Sequence, residues 1–298
     1  MDSFAAQPSP DVEVVVARPL TVVMLFQRLR RSRTAFIGLF IVLVLLLTAL
    51  FADIIAPGNP AEMQTSARSR SPGAEHWLGT DHLGRDTFTR VIHGSRVSMY
   101  VALLTIFISL GIGIPFGLAA GYYEGVFDLL LSRLMDLMMS FPVVILAMVI
   151  TVVLGAGVTT VGVAVGIVYI PAFARLVRAS TLTLKESEFV LAARAVGYSD
   201  LRILFFQILP NCMAPIIVSG TVIMAYALIM EATLSFLGLG TQPPTPSWGF
   251  DLKMNLVYLE LSPSSTLFPG LAILIAVLGF NMLGDGLRDS LDPKLQHR

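Results

Sequence analysis

The sequence predicts an all-α, polytopic membrane protein with six transmembrane helices. Composition is the first reason. Hydrophobic residues make up 55% of the 298-residue chain and charged residues only 13%, against about a quarter charged in soluble domains, and the mean hydropathy is +0.78. Length is the second: six segments approach the roughly 20 apolar residues a helix needs to cross the hydrocarbon core. The third is the placing of arginine and lysine, which gather near the ends of these segments and more densely on one side. Acidic and basic residues balance at 20 each, so neither a nucleic-acid surface nor a polyacidic tail is indicated.

Taken in order, residues 1–17 show no periodic pattern and read as a flexible tail. Over 18–35, apolar Leu20, Val23, Met24 and Leu29 interleave with Gln27, Arg28 and Arg31, the pattern of a basic helix lying in the membrane interface. The transmembrane domain then occupies 36–298, with spans expected at Phe36–Ala56, Val97–Ala120, Leu134–Leu154, Val158–Val177, Ala214–Leu237 and Leu267–Leu283. In the second span Gly113, Gly117 and Gly121 recur every four residues, and Gly162 and Gly166 do so in the fourth. This spacing predicts close helix packing. Pro115 would kink the second span.

Six crossings put both termini on one side. The N-terminal segment carries Arg18, Arg28, Arg30, Arg31 and Arg33, the loop over about 180–212 carries Lys185, Arg194 and Arg202, and the tail over about 286–298 adds Arg288, Lys294 and Arg298. The positive-inside rule makes that side cytoplasmic. Loops over about 57–96 and 238–266 are then extracytoplasmic.

Catalysis by this chain is not indicated. No G-x-x-x-x-G-K-[ST] stretch and no G-x-S-x-G elbow occurs. His76, His82, His93 and His297 are scattered, and Cys212 stands alone at the start of an apolar run as a packed thiol, so no metal site is expected. Charged residues within spans are costly and therefore informative. Arg133 and Asp136, three apart, can pair locally as a structural element. Glu231 lies 17 residues past Ala214, about 25 Å along a helix, near the outer end of the fifth span. Asp81, Arg85 and Asp86 are close opposite charges in a glycine-rich turn, suited to a rigid extracytoplasmic cap, either as a salt-bridged turn or in contact with a solute.

The segment Glu188–Pro210, E-F-V-L-A-A-R-A-V-G-Y-S-D-L-R-I-L-F-F-Q-I-L-P, is a polar, basic island between two apolar spans. It reads as a short helix with a bare face, a glycine stop, a second amphipathic helix and a proline break. It resembles the cytoplasmic coupling loop of permease subunits of ATP-binding-cassette importers. Ala192, Ala193, Gly197 and Leu209–Pro210 carry the match, while Leu191 stands where many members have glutamate and Gln207 where many have isoleucine. Three further stretches resemble signatures of the C-type permease in dipeptide, oligopeptide, nickel and glutathione importers. They are His76–Asp86, Leu234–Gly240 with Gln242–Pro246 and Trp248–Gly249, and Leu283–Lys294.

The resemblance implies an inner-membrane permease that works with a second permease, two ATP-binding-cassette domains holding ATP and magnesium, and an extracytoplasmic substrate-binding protein. It implies ATPase coupling through Glu188, Leu191, Ala192, Ala193, Arg194, Gly197 and Pro210. Glu231 would then line the substrate path, bind a peptide amine or pair with a helix of the partner permease. Peptides are the expected cargo, with glutathione or a nickel complex as alternatives. An ion-gradient-driven transporter is the rival reading; the absence of an internal repeat and the few midplane acids count against it.

Overall fold

The computed structural model describes residues 33–291. The expected tail over 1–17 and all but the last three residues of the expected interfacial helix lie outside the described residues. The chain forms α1 (Arg33–Leu50), α2 (Ala52–Ile55), a short 3₁₀ turn (Thr65–Ala67), α3 (Thr87–Tyr123), α4 (Gly125–Ser140), α5 (Val143–Leu154), α6 (Val158–Leu184), α7 (Glu188–Ala195), α8 (Asp200–Ile203), α9 (Leu209–Leu237), α10 (Trp248–Leu256) and α11 (Pro263–Leu291). Among the described residues the β-type pairing is one isolated bridge, Thr80 with Asp86.

Among the described residues, five helices are long and apolar enough to cross a membrane: α1, α3, α6, the continuous run Asp200–Leu237, and α11. The sixth crossing departs from expectation. Leu134–Leu154 is not one straight helix; α4 and α5 meet at a 95° bend, so the count reaches six only if the bent pair is one span. Pro142 explains the break, since it offers no N–H and drives Phe141 into extended backbone (φ −88°, ψ 140°).

Loop boundaries shift as well. Asp86 accepts a hydrogen bond from the Thr89 N–H at 2.8 Å, so α3 starts at Thr87, ten residues inside the loop expected over 57–96. The loop expected over 238–266 contains α10 and the start of α11, and α11 continues to Leu291 through the start of the expected tail. Pro210 does not end a helix. Backbone bonding widens to a π turn over Leu204–Ile208, the Leu209 N–H reaches the Leu204 carbonyl, and Pro210 sits in the first turn of α9, where its missing N–H costs little.

α3 and α6 make the most extensive helix pair. Their glycines explain how. A Cβ at Gly117 would meet the Ala174 carbonyl at 2.5 Å, and one at Gly121 would meet the Thr181 Cβ at 2.7 Å. Reciprocally, a Cβ at Gly166 would lie 2.9 Å from the Ile108 Cβ. The spaced glycines therefore act in packing, as expected. α9 packs against α3, α6 and α11, and α1 lies against α11. Phe173, Val177, Ile203, Ile208 and Cys212 form one buried apolar cluster, so Cys212 is the packed thiol expected; Leu228, Leu234, Trp248 and Phe280 belong to a second cluster.

Candidate functional site

α7 and the turn after it form a platform at one end of the bundle. Val190 and Ala193 point inward, into the cluster that holds Tyr122, Tyr198, Ile203 and Ile208. Glu188, Phe189, Leu191, Ala192, Arg194 and Gly197 remain exposed, as does Pro210. The alanine pair thus divides, Ala193 seating the helix and Ala192 leaving the outer face bare. Gly197 ends the helix at φ +85°. The Tyr198 N–H bonds to the Ala193 carbonyl at 3.1 Å and the Gly197 N–H to the Arg194 carbonyl at 2.9 Å, the two bonds of a Schellman cap.

The platform is fastened to α3. The Tyr122 hydroxyl donates to Asp200 Oδ1 at 2.7 Å, and the Arg194 guanidinium lies 5.0 Å from the centre of the Tyr122 ring. Beside it an open hollow of about 410 Å³ is lined by Tyr122, Lys185, Glu186, Leu191 and Arg194. Sequence reasoning missed a feature of the outer face: Val196 is 76% exposed and Phe206 73%, with Leu201 and Phe205 also open. These apolar side chains sit among arginines, and that mixture was the available signal.

At the opposite end, the residues expected as a cap are mostly buried. Asp81 Oδ1 accepts from the N–H groups of Leu83 (2.8 Å) and Arg85 (2.9 Å), and its Oδ2 accepts from Arg85 Nε at 2.6 Å. Asp86 caps α3 and lies 2.9 Å from His76 Nδ1. With Asp81 and Arg85 almost inaccessible, the turn is a structural brace. A second brace was not foreseen. Arg90 Nε donates to Asp251 Oδ1 at 3.0 Å, and Arg90 Nη1 donates to the Pro60 carbonyl at 2.8 Å, tying α3, α10 and the first loop together. Burial pushes the Asp251 carboxyl above its ordinary range while the Arg90 charge pulls it back. Trp248 covers Gly94, and its Nε1 donates to the Val91 carbonyl at 2.8 Å.

Glu231 is not on an open face. It is 1% exposed and accepts from Ser98 (3.2 Å), Ser235 (2.9 Å) and Ser247 (2.9 Å), which join α3, α9 and the following loop. These three hydroxyls are the partners of Glu231 among the described residues. Ser98 and Ser247 lie 133 and 16 residues away, and no spacing rule links them to Glu231. The local Arg133–Asp136 pair does not form either, because Asp136 accepts from Arg175 Nη2 on α6. Among the described residues, no group of three or more His, Cys, Asp or Glu side chains could hold a metal ion.

Comparison with known proteins agrees with this architecture. Residues 113–297 match the family described as binding-protein-dependent transport system inner membrane component, and residues 23–72 match the N-terminal transmembrane domain of oligopeptide transport permease C. The chain belongs to the binding-protein-dependent permease family. Its relatives include the dipeptide transport system permease protein DppC of Alkalihalophilus pseudofirmus, 44% identical over 91% of this chain and 89% of that protein. A putative peptide transport system permease protein of Brucella suis is 46% identical over 92% of this chain and 93% of that protein. The glutathione transport system permease protein GsiD of Escherichia coli is 44% identical over 91% and 90%. Among solved structures, a chain of the MetNI methionine ABC transporter, in an inward-facing conformation, superposes with a TM-score of 0.56 at 17% identity, covering 68% of this permease and 97% of that chain. That likeness shows the fold. The family resemblance read from the signature stretches is borne out, and the chain is a multi-span membrane permease subunit.

Proposed function

We propose that this permease is one of two in an ATP-driven importer of short peptides, and that α7 is the element a separate ATPase grips. The observation that carries the reading is the two-sidedness of α7. Its inner face is seated through Val190 and Ala193, and the segment that follows is held by the Tyr122–Asp200 bond, while Glu188, Leu191 and Ala192 stay exposed among the described residues. A lever needs both properties. The fixed face transmits displacement into α3 and, through Asp200–Leu237, into α9. Bare Ala192 lets a partner backbone approach.

In this reading both termini and α7 are cytoplasmic, ATP and magnesium are held by the ATPases, and a substrate-binding protein delivers cargo to the braced end around Asp81 and Asp251. Relatives named for dipeptide and glutathione transport support a peptide or peptide-like cargo. A nickel complex is the remaining alternative from the signatures. The test is to tag the chain, extract the membranes in mild detergent and identify stoichiometric partners by mass spectrometry. A second permease together with an ATPase is the expected result. Recovery of the chain alone, under conditions that keep a known importer intact, overturns the reading.

A further inference from the structure

Three helices run between the α7 platform and the far end of the bundle: α3 and α6 end beside the platform, and α9 begins there. Each carries a proline inside it, Pro115, Pro171 and Pro215 respectively. Such a proline offers no N–H and presses its ring against the carbonyl four residues earlier. The hydrogen-bond ladders are therefore interrupted at the carbonyls of Gly111, Ile167 and Asn211.

The three interruptions share one level. A Cβ at Gly113, two residues before Pro115, would meet the Ile170 carbonyl at 3.0 Å and the Phe173 Cβ at 2.9 Å, the residues on either side of Pro171. Nearer the platform, Gly121 faces Thr181, and the Cys212 side chain lies against the same Thr181. Pro215 follows Cys212 by three residues, running away from the platform. Counted along the helices from these contacts, the prolines fall within about 10 Å of one another. By comparison, the 37 residues of α3 extend about 55 Å and the 27 of α6 about 40 Å.

On each side of that level the helices are tied together. Toward the platform, Tyr122 bonds Asp200, and Val190 and Ile208 share a buried cluster with Leu118 and Val177. Toward the far end, Ser98 of α3 donates to Glu231 of α9, Arg90 joins Asp251, and the Gly157 N–H ahead of α6 reaches the Leu239 carbonyl at 3.3 Å. Pro269 in α11 supplies a contrast. The Ser265 carbonyl that it leaves free accepts from Asn255 Nδ2 at 3.3 Å, so that bend is fixed from outside its helix. In the proline layer, the neighbouring donors Ser109 and Asn211 are spent on the Thr105 and Gln207 carbonyls instead.

We propose that Pro115, Pro171 and Pro215 form a hinge layer, at which the platform half of the permease tilts as a unit against the half braced around Glu231 and Asp251. The motion assigned to the layer rests on the ATP-driven reading above. Two tied halves joined by three interrupted helices yield at the interruptions, where ladder bonds are already missing. One kinked helix among straight neighbours is held by them; three kinked at one level turn together. A change of about 20° in bend moves a platform atom lying about 15 Å from the layer through about 5 Å.

The test measures ATP hydrolysis, peptide uptake and thermal stability of the complete importer in proteoliposomes. The variants are Pro115→Ala, Pro171→Ala and Pro215→Ala, singly and together, each with its glycine counterpart, and Pro269→Ala as the comparison outside the layer. Alanine restores the N–H and favours a continuous helix, whereas glycine restores the N–H but leaves the helix pliant. The combined alanine variant should keep its thermal midpoint and its ATP hydrolysis while uptake per ATP falls about tenfold, equivalent to about 1.4 kcal/mol. Glycine variants should retain more uptake per ATP than alanine variants, and Pro269→Ala should match the native importer. Where the combined variant does not assemble, the single variants carry the same ranking. Undiminished uptake per ATP in the alanine variants overturns the hinge layer, as does an equal loss in the glycine variants or in Pro269→Ala. A native importer whose uptake does not depend on ATP removes the ATP-driven reading and the hinge role with it.

Discussion

Tyr122, the penultimate residue of α3, donates its hydroxyl to Asp200 across 2.7 Å, so the segment proposed to meet the ATPase is fastened to the end of a membrane-spanning helix. That hydroxyl is one tie between the lever and the helix it would move, beside the Arg194–Tyr122 ring contact and the packing of Val190 and Ala193. Removing it with Tyr122→Phe leaves the ring and its apolar packing. A net loss of about 1.5–3 kcal/mol is expected for a hydrogen bond to a charged group. ATP hydrolysis should continue while peptide uptake per ATP falls severalfold, measured together in proteoliposomes. An unchanged ratio contradicts the fastening role.

Gly197 is constrained by its backbone and not by space. A Cβ there would meet nothing within 4 Å, but φ is +85°. An added side chain strains the Schellman cap by about 1–2 kcal/mol, and less for asparagine, which visits this region more readily. ATPase recovery with the tagged permease should fall in the order Gly197, Gly197→Asn, Gly197→Val. Gly197→Asp adds a negative charge on the face proposed to meet the ATPase to the same backbone strain. Equal recovery for all variants sinks the cap argument.

The α3–α6 contact gives a prediction with an internal control. Gly117→Leu places a side chain against the Ala174 carbonyl, whereas a Cβ at Gly111 meets nothing within 4 Å. Overpacking costs about 1–3 kcal/mol or more where backbone is the obstacle. Fluorescence-detected size exclusion should show loss of the monodisperse peak for Gly117→Leu and retention for Gly111→Ala. The opposite ranking contradicts the packing assigned to these helices.

Glu231 should behave as a structural node. Glu231→Leu leaves the Ser98, Ser235 and Ser247 hydroxyls without their common acceptor, at about 1–3 kcal/mol for each group left unsatisfied. Glu231→Gln keeps a side-chain oxygen in place and should cost less. Thermal stability of the detergent-purified complex should therefore drop clearly for leucine and modestly for glutamine. Uptake abolished by Glu231→Gln at unchanged stability would return Glu231 to the solute path.

What was legible in the chain follows from the range of each interaction. The spaced glycines of α3 and α6, the Gly197 stop and the signature stretches are local patterns, and they lie where expected. Pro142 was equally local, but it stands inside an apolar run whose length satisfied the span criterion, and length outweighed the missing N–H. Arg90 and Asp251 are 161 residues apart, Ser98 and Glu231 133 apart, and Asp136 and Arg175 39 apart. Such pairs depend on which helices become neighbours. For that reason the enclosure of Glu231 by three serines could not be read from the sequence, and Asp136 read as locally paired when it reaches another helix.

The central claim is that the outer face of α7 meets the ATPase, and one measurement addresses it directly. A cysteine at the exposed Ala192 position, in a Cys212→Ala background, is treated with a short thiol–amine cross-linker in membranes containing the whole importer. Phe107→Cys on α3 serves as the comparison. The account predicts a cross-link from position 192 to the ATPase subunit and none from 107. An ATPase that co-purifies yet cross-links equally from both sites, or only from elsewhere on the permease, contradicts it.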